Sequence, residues 1–435
     1  MNLSAAPVSP RDLAAALTPA TGPIWLRVGR LFSGRDTTAL RDAHLVYDGA
    51  RILHAGAAAP SAALLRPGQT APDLHLPAHT ALPGLIDAHA HLFLEGGEEN
   101  PEKRAAYLKL PAAELQARAE TRLARLVALG VIAVREAGDK AGVGLALQTR
   151  WRSAARGVMP YVDAPGAAIN HQGRYGSFMS RPMEEQGTPE GTVAERVAAG
   201  AHRIKLIATG IINFEQGAVT AKPQMPAAEL TLFATAARTH GKQTMVHCSG
   251  HDGVANCLVA RVDTIEHGYF IDDTQLAQLR DLDLAWVPTF APVQYQVDHA
   301  AALGWSDLIR DNLRRILEGH SRSLARAGQL GVRIVAGSDA GSHGVPHGWG
   351  FLQELELMER AGLTAAQVLH SATGASAARL GYEENFGVLA AAAKPRFLLT
   401  EHDVLATVAQ LRLPKVVVFD GAIHLAGDDP KLPGL

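Results

Sequence analysis

The chain has 435 residues, 47% hydrophobic and 19% charged, and its 41 Lys+Arg against 43 Asp+Glu leave a net charge of −2. That length is more than a small module and supplies ample apolar material for a core. The balanced charge argues against an electrostatic nucleic-acid binder, and the apolar fraction against a disordered chain.

Residues Met1 to Ala20 lack a cationic start, are broken by Pro7, Pro10 and Pro19, and hold no continuous apolar stretch, so no export signal is expected. The two cysteines, Cys248 and Cys257, offer neither a disulfide framework nor a C-x-x-C metal spacing, which makes a reducing cytoplasm the default compartment. No run of 18 apolar residues exists, so no membrane-spanning helix is expected.

From Ile24 to Ala55 the sequence reads as short strands: Ile24 to Val28, His44 to Tyr47, a turn at Asp48-Gly49, then Arg51 to Leu53. After Pro83-Gly84 apolar strands alternate with amphipathic helices, the pattern of repeated βαβ units. Eight strands are predicted, at 82–88, 131–135, 160–164, 203–208, 243–247, 262–265, 284–289 and 333–337. Helices are predicted over Pro111 to Leu129 and Pro226 to His240, each closed by a glycine, with Thr188-Pro189 as a helix start and Thr364 with Gln367 as a capping box. A doubly wound sheet is the competing architecture, weakened by the absence of G-x-G-x-x-G after the first strand.

Beyond Gly387 a second β-rich stretch, Arg396 to Thr400 and Lys415 to Phe419, mirrors the N-terminal one. The expected fold is therefore α/β: a distorted TIM-type (β/α)8 barrel with a small β-sandwich formed from both chain termini. The boundaries read as 1–80 for the first part of the sandwich, 81–381 for the barrel and 382–435 for the rest.

In such a barrel chemistry sits at the C-terminal ends of strands. The first strand ends in Asp87-Ala88-His89-Ala90-His91, where alternation puts both histidines on one side. The fourth carries Lys205 inside Ile204-Lys205-Leu206-Ile207, the fifth ends at His247, the sixth runs into Glu266-His267-Gly268, and the eighth into Gly337-Ser338-Asp339-Ala340-Gly341. Singly these are weak signals among 19 histidines; a lone His is usually structural, a strand lysine usually snorkels or pairs with an acid, and an Asp often caps a helix. Jointly, six such residues fall at strand ends in five different βα units.

With these residues in place the sequence resembles the amidohydrolase superfamily over nearly its whole length, in the branch of imidazolonepropionase-like and prolidase-like metal-dependent hydrolases. The matching text is Pro83 to His91, Gly130-Val131 through Arg135-Glu136-Ala137-Gly138, Ile204 to Gly210, Ile265 to Gly268, and Gly337 to Gly341. The resemblance implies one or two divalent ions, two if Lys205 takes part, with zinc favoured by the donors. His89, His91 and Asp339 match the ligands of one ion and His247 and His267 those of the second. Lys205 matches a lysine that bridges both as a carbamate formed with carbon dioxide. Physical chemistry agrees, since an ammonium cannot ligate whereas a carbamate offers anionic oxygens.

The implied reaction is hydrolysis of an amide-type C–N bond by a metal-bridging hydroxide in a small-molecule amide, N-acyl amino acid, cyclic amide or carbamate, with Asp339 moving the proton. His171, in Asn170-His171-Gln172-Gly173, matches a histidine that polarises the carbonyl. His347 matches a family turn that helix-start packing explains equally well. Where dipeptidase-like members carry H-A-Y-G, this chain has His247-Cys248-Ser249-Gly250, which argues against dipeptides. A mononuclear deaminase or imidazolone-type hydrolase, and a lactone or phosphotriester hydrolase, are the alternatives on the same scaffold. Arg174, Tyr175, Phe178 and Arg181 lie in a long loop where substrate contact and loop packing are equally expected. The sequence leaves a homo-oligomer open.

Overall fold

A computed structural model describes residues 10–17, 22–154, 156–382, 385–413 and 415–426. Most of the Met1 to Ala20 segment read for an export signal therefore lies outside the described residues. Among the described residues seventeen strands follow one another: β1 Ile24–Phe32, β2 Ala39–Tyr47, β3 Ile52–Gly56, β4 Leu74–Pro83, β5 Leu85–Ala90, β6 Val131–Glu136, β7 Tyr161–Asp163, β8 Ala168–Asn170, β9 Ser180–Pro182, β10 Arg203–Ile207, β11 Gln243–Cys248, β12 Thr264–His267, β13 Ala285–Val287, β14 Arg333–Ile334, β15 Arg396–Thr400, β16 Lys415–Phe419 and β17 Ala422–Ala426. Among the described residues no helix is long and apolar enough to cross a membrane.

The chain divides into two compact units. The first takes residues up to Ile86, Ala124–Ile132 and the chain from Thr364 on. Its strands from both ends join in one seven-stranded sheet, ordered β17-β16-β15-β4-β1-β2-β3, where β4 and β15 run antiparallel with Leu82 opposite Leu398. The ladders make one sheet and do not resolve into the two stacked sheets expected of a sandwich. Alternate residues Leu26 and Val28 of β1, Leu45 and Tyr47 of β2, Phe397 and Leu399 of β15, and Val416 and Val418 of β16 meet in a single apolar cluster.

The second unit, Asp87–Leu123 with Ala133–Leu363, carries the α/β part. Its ladders form a seven-stranded sheet, β14-β13-β12-β11-β10-β8-β9, and a three-stranded sheet, β5-β6-β7. The pairs β10–β11, β11–β12 and β12–β13 are parallel, as βαβ repetition requires. A single closed eight-stranded barrel is thus not what the ladders draw. Single bonds do join neighbours, such as Ala88 N–H to Ala336 O (2.9 Å) and His202 N–H to Ala164 O (2.9 Å).

The predicted helices form over Ala112–Ala128 and Ala227–Thr239. Thr188 accepts from Gly191 N–H with Pro189 in the first turn, and Thr364 and Gln367 make the reciprocal cap. The strands β8 and β9, three residues each, lie in a region the sequence presents as loop.

Candidate active site

The six strand-end residues converge in the second unit, and local chemistry explains how each is aimed. Asp87, His89 and His91 share a face by β-alternation. Asp87 accepts from the backbone N–H (3.0 Å) and the hydroxyl (2.6 Å) of Ser338, and Asp339 N–H donates to His89 O at 2.7 Å. This lashing places Asp339 Oδ1 3.6 Å from His89 Nε2 and 3.4 Å from His91 Nε2. Two ligands about 2.0–2.1 Å from a shared tetrahedral ion stand at about that separation.

His267 lies with its ring centroid 5.0 Å from that of His89 and 4.5 Å from that of His247. One donor atom each from His89, His267 and Asp339 falls within 4.8 Å of the others. His267 thus stands beside both His247 and the pair His89 and Asp339. The His267 ring is fixed through Nδ1 to Thr289 Oγ1 at 2.7 Å, while its carbonyl accepts from Trp286 Nε1–H at 2.9 Å. His267, Thr289 and Asp339 have φ of 69°, 52° and 55°, a left-handed backbone that non-glycine residues rarely adopt and that surrounding contacts must hold.

The orphaned atoms test whether a metal fits. His89 Nε2 and Asp339 Oδ1 are buried without a hydrogen-bond partner, an expensive condition unless something else binds them. Burial, reinforced by Lys205, lowers His89 to a pKa of about 4 and His247 to about 3; burial and His247 hold His267 well below its ordinary value. Neutral imidazole is the form that ligates. Burial pushes the Asp339 carboxyl up, but His91, His89 and Lys205 outweigh it and keep the group below its usual range. The donor set, imidazoles and a carboxylate, suits zinc, and the residues fit a divalent ion.

Lys205 is 1% exposed, and no carboxylate among the described residues lies within ion-pair distance of it. Burial lowers its pKa to about 8. Gly138, at φ +119°, lies against its stem; a Cβ there would be 3.3 Å from Lys205 Cγ.

A layer beneath the histidines went unread in the sequence. His89 Nδ1 donates to Glu266 Oε2 at 2.6 Å, and Glu266 accepts from Arg135 at 2.9 Å and from the Thr264 hydroxyl. Both charged residues are fully buried. Burial raises the Glu266 pKa, but Arg135, His89 and Lys205 prevail and hold it at about 2. The available signal was a pair of opposite charges inside strands, Arg135 in Val131–Glu136 and Glu266 in Thr264–His267.

His171 is not brought to the cluster. Its Nδ1 meets Glu184 at 2.8 Å and its Nε2 meets Glu229 at 3.0 Å, so both ring nitrogens are engaged and the expected carbonyl-polarising role has no free nitrogen. Arg174 donates to Lys222 O and Arg181 to Glu195, away from the cavity, whereas Tyr175 and Phe178 line it. His347 donates through Nε2 to His91 O at 3.1 Å. Cys248 and Cys257 are buried and free. A cavity of about 330 Å³ opens directly over the histidines, Lys205 and Asp339.

The model of the amidohydrolase family matches residues 80–423. An uncharacterized protein of Mycobacterium tuberculosis, Rv2915c, is 26% identical over 296 residues, 67% of this chain and 72% of that one. Among solved structures, a Xaa-Pro dipeptidase with bound methionine superposes with a TM-score of 0.76 at 23% identity, covering 93% of this chain and all of that one (100%). The ochratoxinase of A. niger gives 0.75 at 20% identity over 95% and 99%. At these identities the structural likeness speaks for the fold.

Proposed function

Because this chain belongs to the amidohydrolase family, we propose that it is a metal-dependent hydrolase of amide-type C–N bonds. In this reading His89, His91, His247, His267 and Asp339 would hold two divalent ions, zinc by donor chemistry, and Lys205 would add a carbamate as a further ligand. The single bonds linking β5 to the segment after β14, and Ala164 to the start of β10, support reading the parallel strands as one distorted barrel. The observation that carries the function is the buried meeting of neutral imidazoles with Asp339, whose Oδ1, like His89 Nε2, has no hydrogen-bond partner.

Bound there, such ions bring a water's pKa toward neutrality and polarise a substrate carbonyl. The chain's own residues do the rest. Hydrolysis adds a water's hydroxyl to the carbonyl carbon and breaks the C–N bond, so one proton must travel from the water to the leaving nitrogen. The Asp339 carboxylate is suited to accept that proton and return it, since it is ionised at neutral pH and faces the cavity. Glu266 keeps the His89 proton on Nδ1 and thereby leaves the Nε2 lone pair for ligation. The triad of His89, His267 and Asp339 alone would serve a one-ion enzyme. What favours two ions is Lys205, buried beside the cluster with no carboxylate among the described residues within ion-pair distance.

The test is a turnover panel on metal-loaded full-length protein, spanning amides, N-acyl amino acids, cyclic amides, carbamates, lactones and phosphotriesters. Cleavage of C–N bonds in preference to the others is expected. Preferential turnover of lactones or phosphotriesters would contradict the assignment.

A further inference from the structure

The walls of the cavity carry information that the cluster does not. Its apolar side is built from Leu94, Phe178, Ile211, Ile212, Phe214 and Val293. Ile212 and Val293 belong to an apolar cluster with Ile309, Leu313 and Ile316 of the helix Asp307–Leu330, and Phe214 packs against it. Asn312 of the same helix donates to Phe214 O and Glu215 O, each at 2.8 Å, fastening the wall to its support. Ile211 is 58% exposed although large and apolar, and it belongs to the same lining. An exposed isoleucine beside a rigid apolar wall is a surface waiting for an apolar group.

The charge inventory is equally specific. No arginine is among the described lining residues, and the one lysine is Lys205, which belongs to the cluster. Arg104, the arginine bonded to Gly341 O near the lining, spends its guanidinium on the carbonyls of Glu95, Glu98 and Gly341. Ser249 and Gln296 are neutral, and the His343 imidazole is turned through Nε2 to Glu99 O at 2.9 Å. A carboxylate remote from the scissile bond would be desolvated here against hydrocarbon with no cation to meet it.

Resting on the hydrolase reading above, we infer that the substrate is an uncharged amide-type compound with apolar groups flanking the scissile bond, one of them aryl-sized, and without a free carboxylate. Dipeptides and N-acyl amino acids are thereby disfavoured. The reaction is the same hydrolysis: water's hydroxyl joins the carbonyl carbon, the C–N bond breaks, and the proton passes to the nitrogen. The cavity's 330 Å³ lies at the small end of ligand pockets, which suits a single ring with a short acyl chain.

The experiment uses zinc-loaded wild-type protein and two matched pairs. Butyranilide and 4-butyramidobenzoate differ by one carboxylate and report turnover. Butyrophenone and 4-butyrylbenzenesulfonate have no C–N bond to cleave and report binding by calorimetry; the sulfonate carries the charge while ligating zinc poorly. Expected are a kcat/KM at least about 100-fold higher for the neutral anilide and a Kd at least about tenfold lower for the neutral ketone. Phe214→Arg should reduce both ratios at least about tenfold by supplying the missing cation. Tight, selective binding of the neutral ketone with neither anilide cleaved supports the pocket inference and overturns the hydrolase reading. Charged members handled as well as neutral ones, or neither ketone bound, overturn the pocket inference.

Discussion

His89 Nδ1 lies 2.6 Å from Glu266 Oε2, and both side chains are fully buried. The contact fixes which imidazole nitrogen carries the proton, and Arg135, bonded to both Glu266 oxygens at 2.9 Å, keeps the carboxylate ionised. Glu266→Gln should therefore weaken metal binding about 10–100-fold while the protein stays folded. Metal titration read against circular dichroism checks this; unchanged affinity would remove the positioning role. Arg135→Met, which strands a buried carboxylate, should cost about 3–5 kcal/mol in chemical denaturation.

Asp339→Asn approximates the shape of the carboxylate and deletes its basicity. Folding should survive and turnover should fall by about 10²–10⁴-fold. More than about a tenth of the wild-type rate, in a steady-state assay on the best substrate of the panel, would contradict proton transfer by Asp339.

Lys205→Ala should lose the second ion's affinity and nearly all turnover, and added propionate should restore part of both by standing in for the carbamate. A variant that keeps its metals and most of its rate would mean that Lys205 only fills space beside Gly138.

Much of this centre was legible because its donors sit at strand ends beside turn-forming glycines, as at His267-Gly268, so that β-alternation and strand counting suffice to gather them. Glu266 was hidden because its partners are remote in sequence: Arg135 lies 131 residues away and His89 177. His171 misled for a related reason: Glu184 and Glu229, 13 and 58 residues distant, engage its ring, and no local pattern announces either. Strands β8 and β9 escaped because three residues are too few for a period to show.

Lys415 offers a pH test remote from the centre. It is 2% exposed, donates to Leu411 O at 2.5 Å, and burial lowers its pKa from 10.5 to about 8. Between those values the unfolded chain binds the extra proton, so this group's contribution to stability rises with pH across that window and is unfavourable below it. Lys415→Met should raise stability at pH 7 by about 3 kcal/mol at most, with the advantage vanishing above about pH 10.5. Denaturant titrations at pH 7, 9 and 10.5 check it; a pH-independent difference would contradict the cause.

The most direct test of the central claim is the metal content of the purified, fully active protein by elemental analysis against protein concentration. Two divalent ions per chain at full activity is the predicted result. One ion per chain at full activity would contradict the two-ion centre and return the site to a single ion on His89, His267 and Asp339.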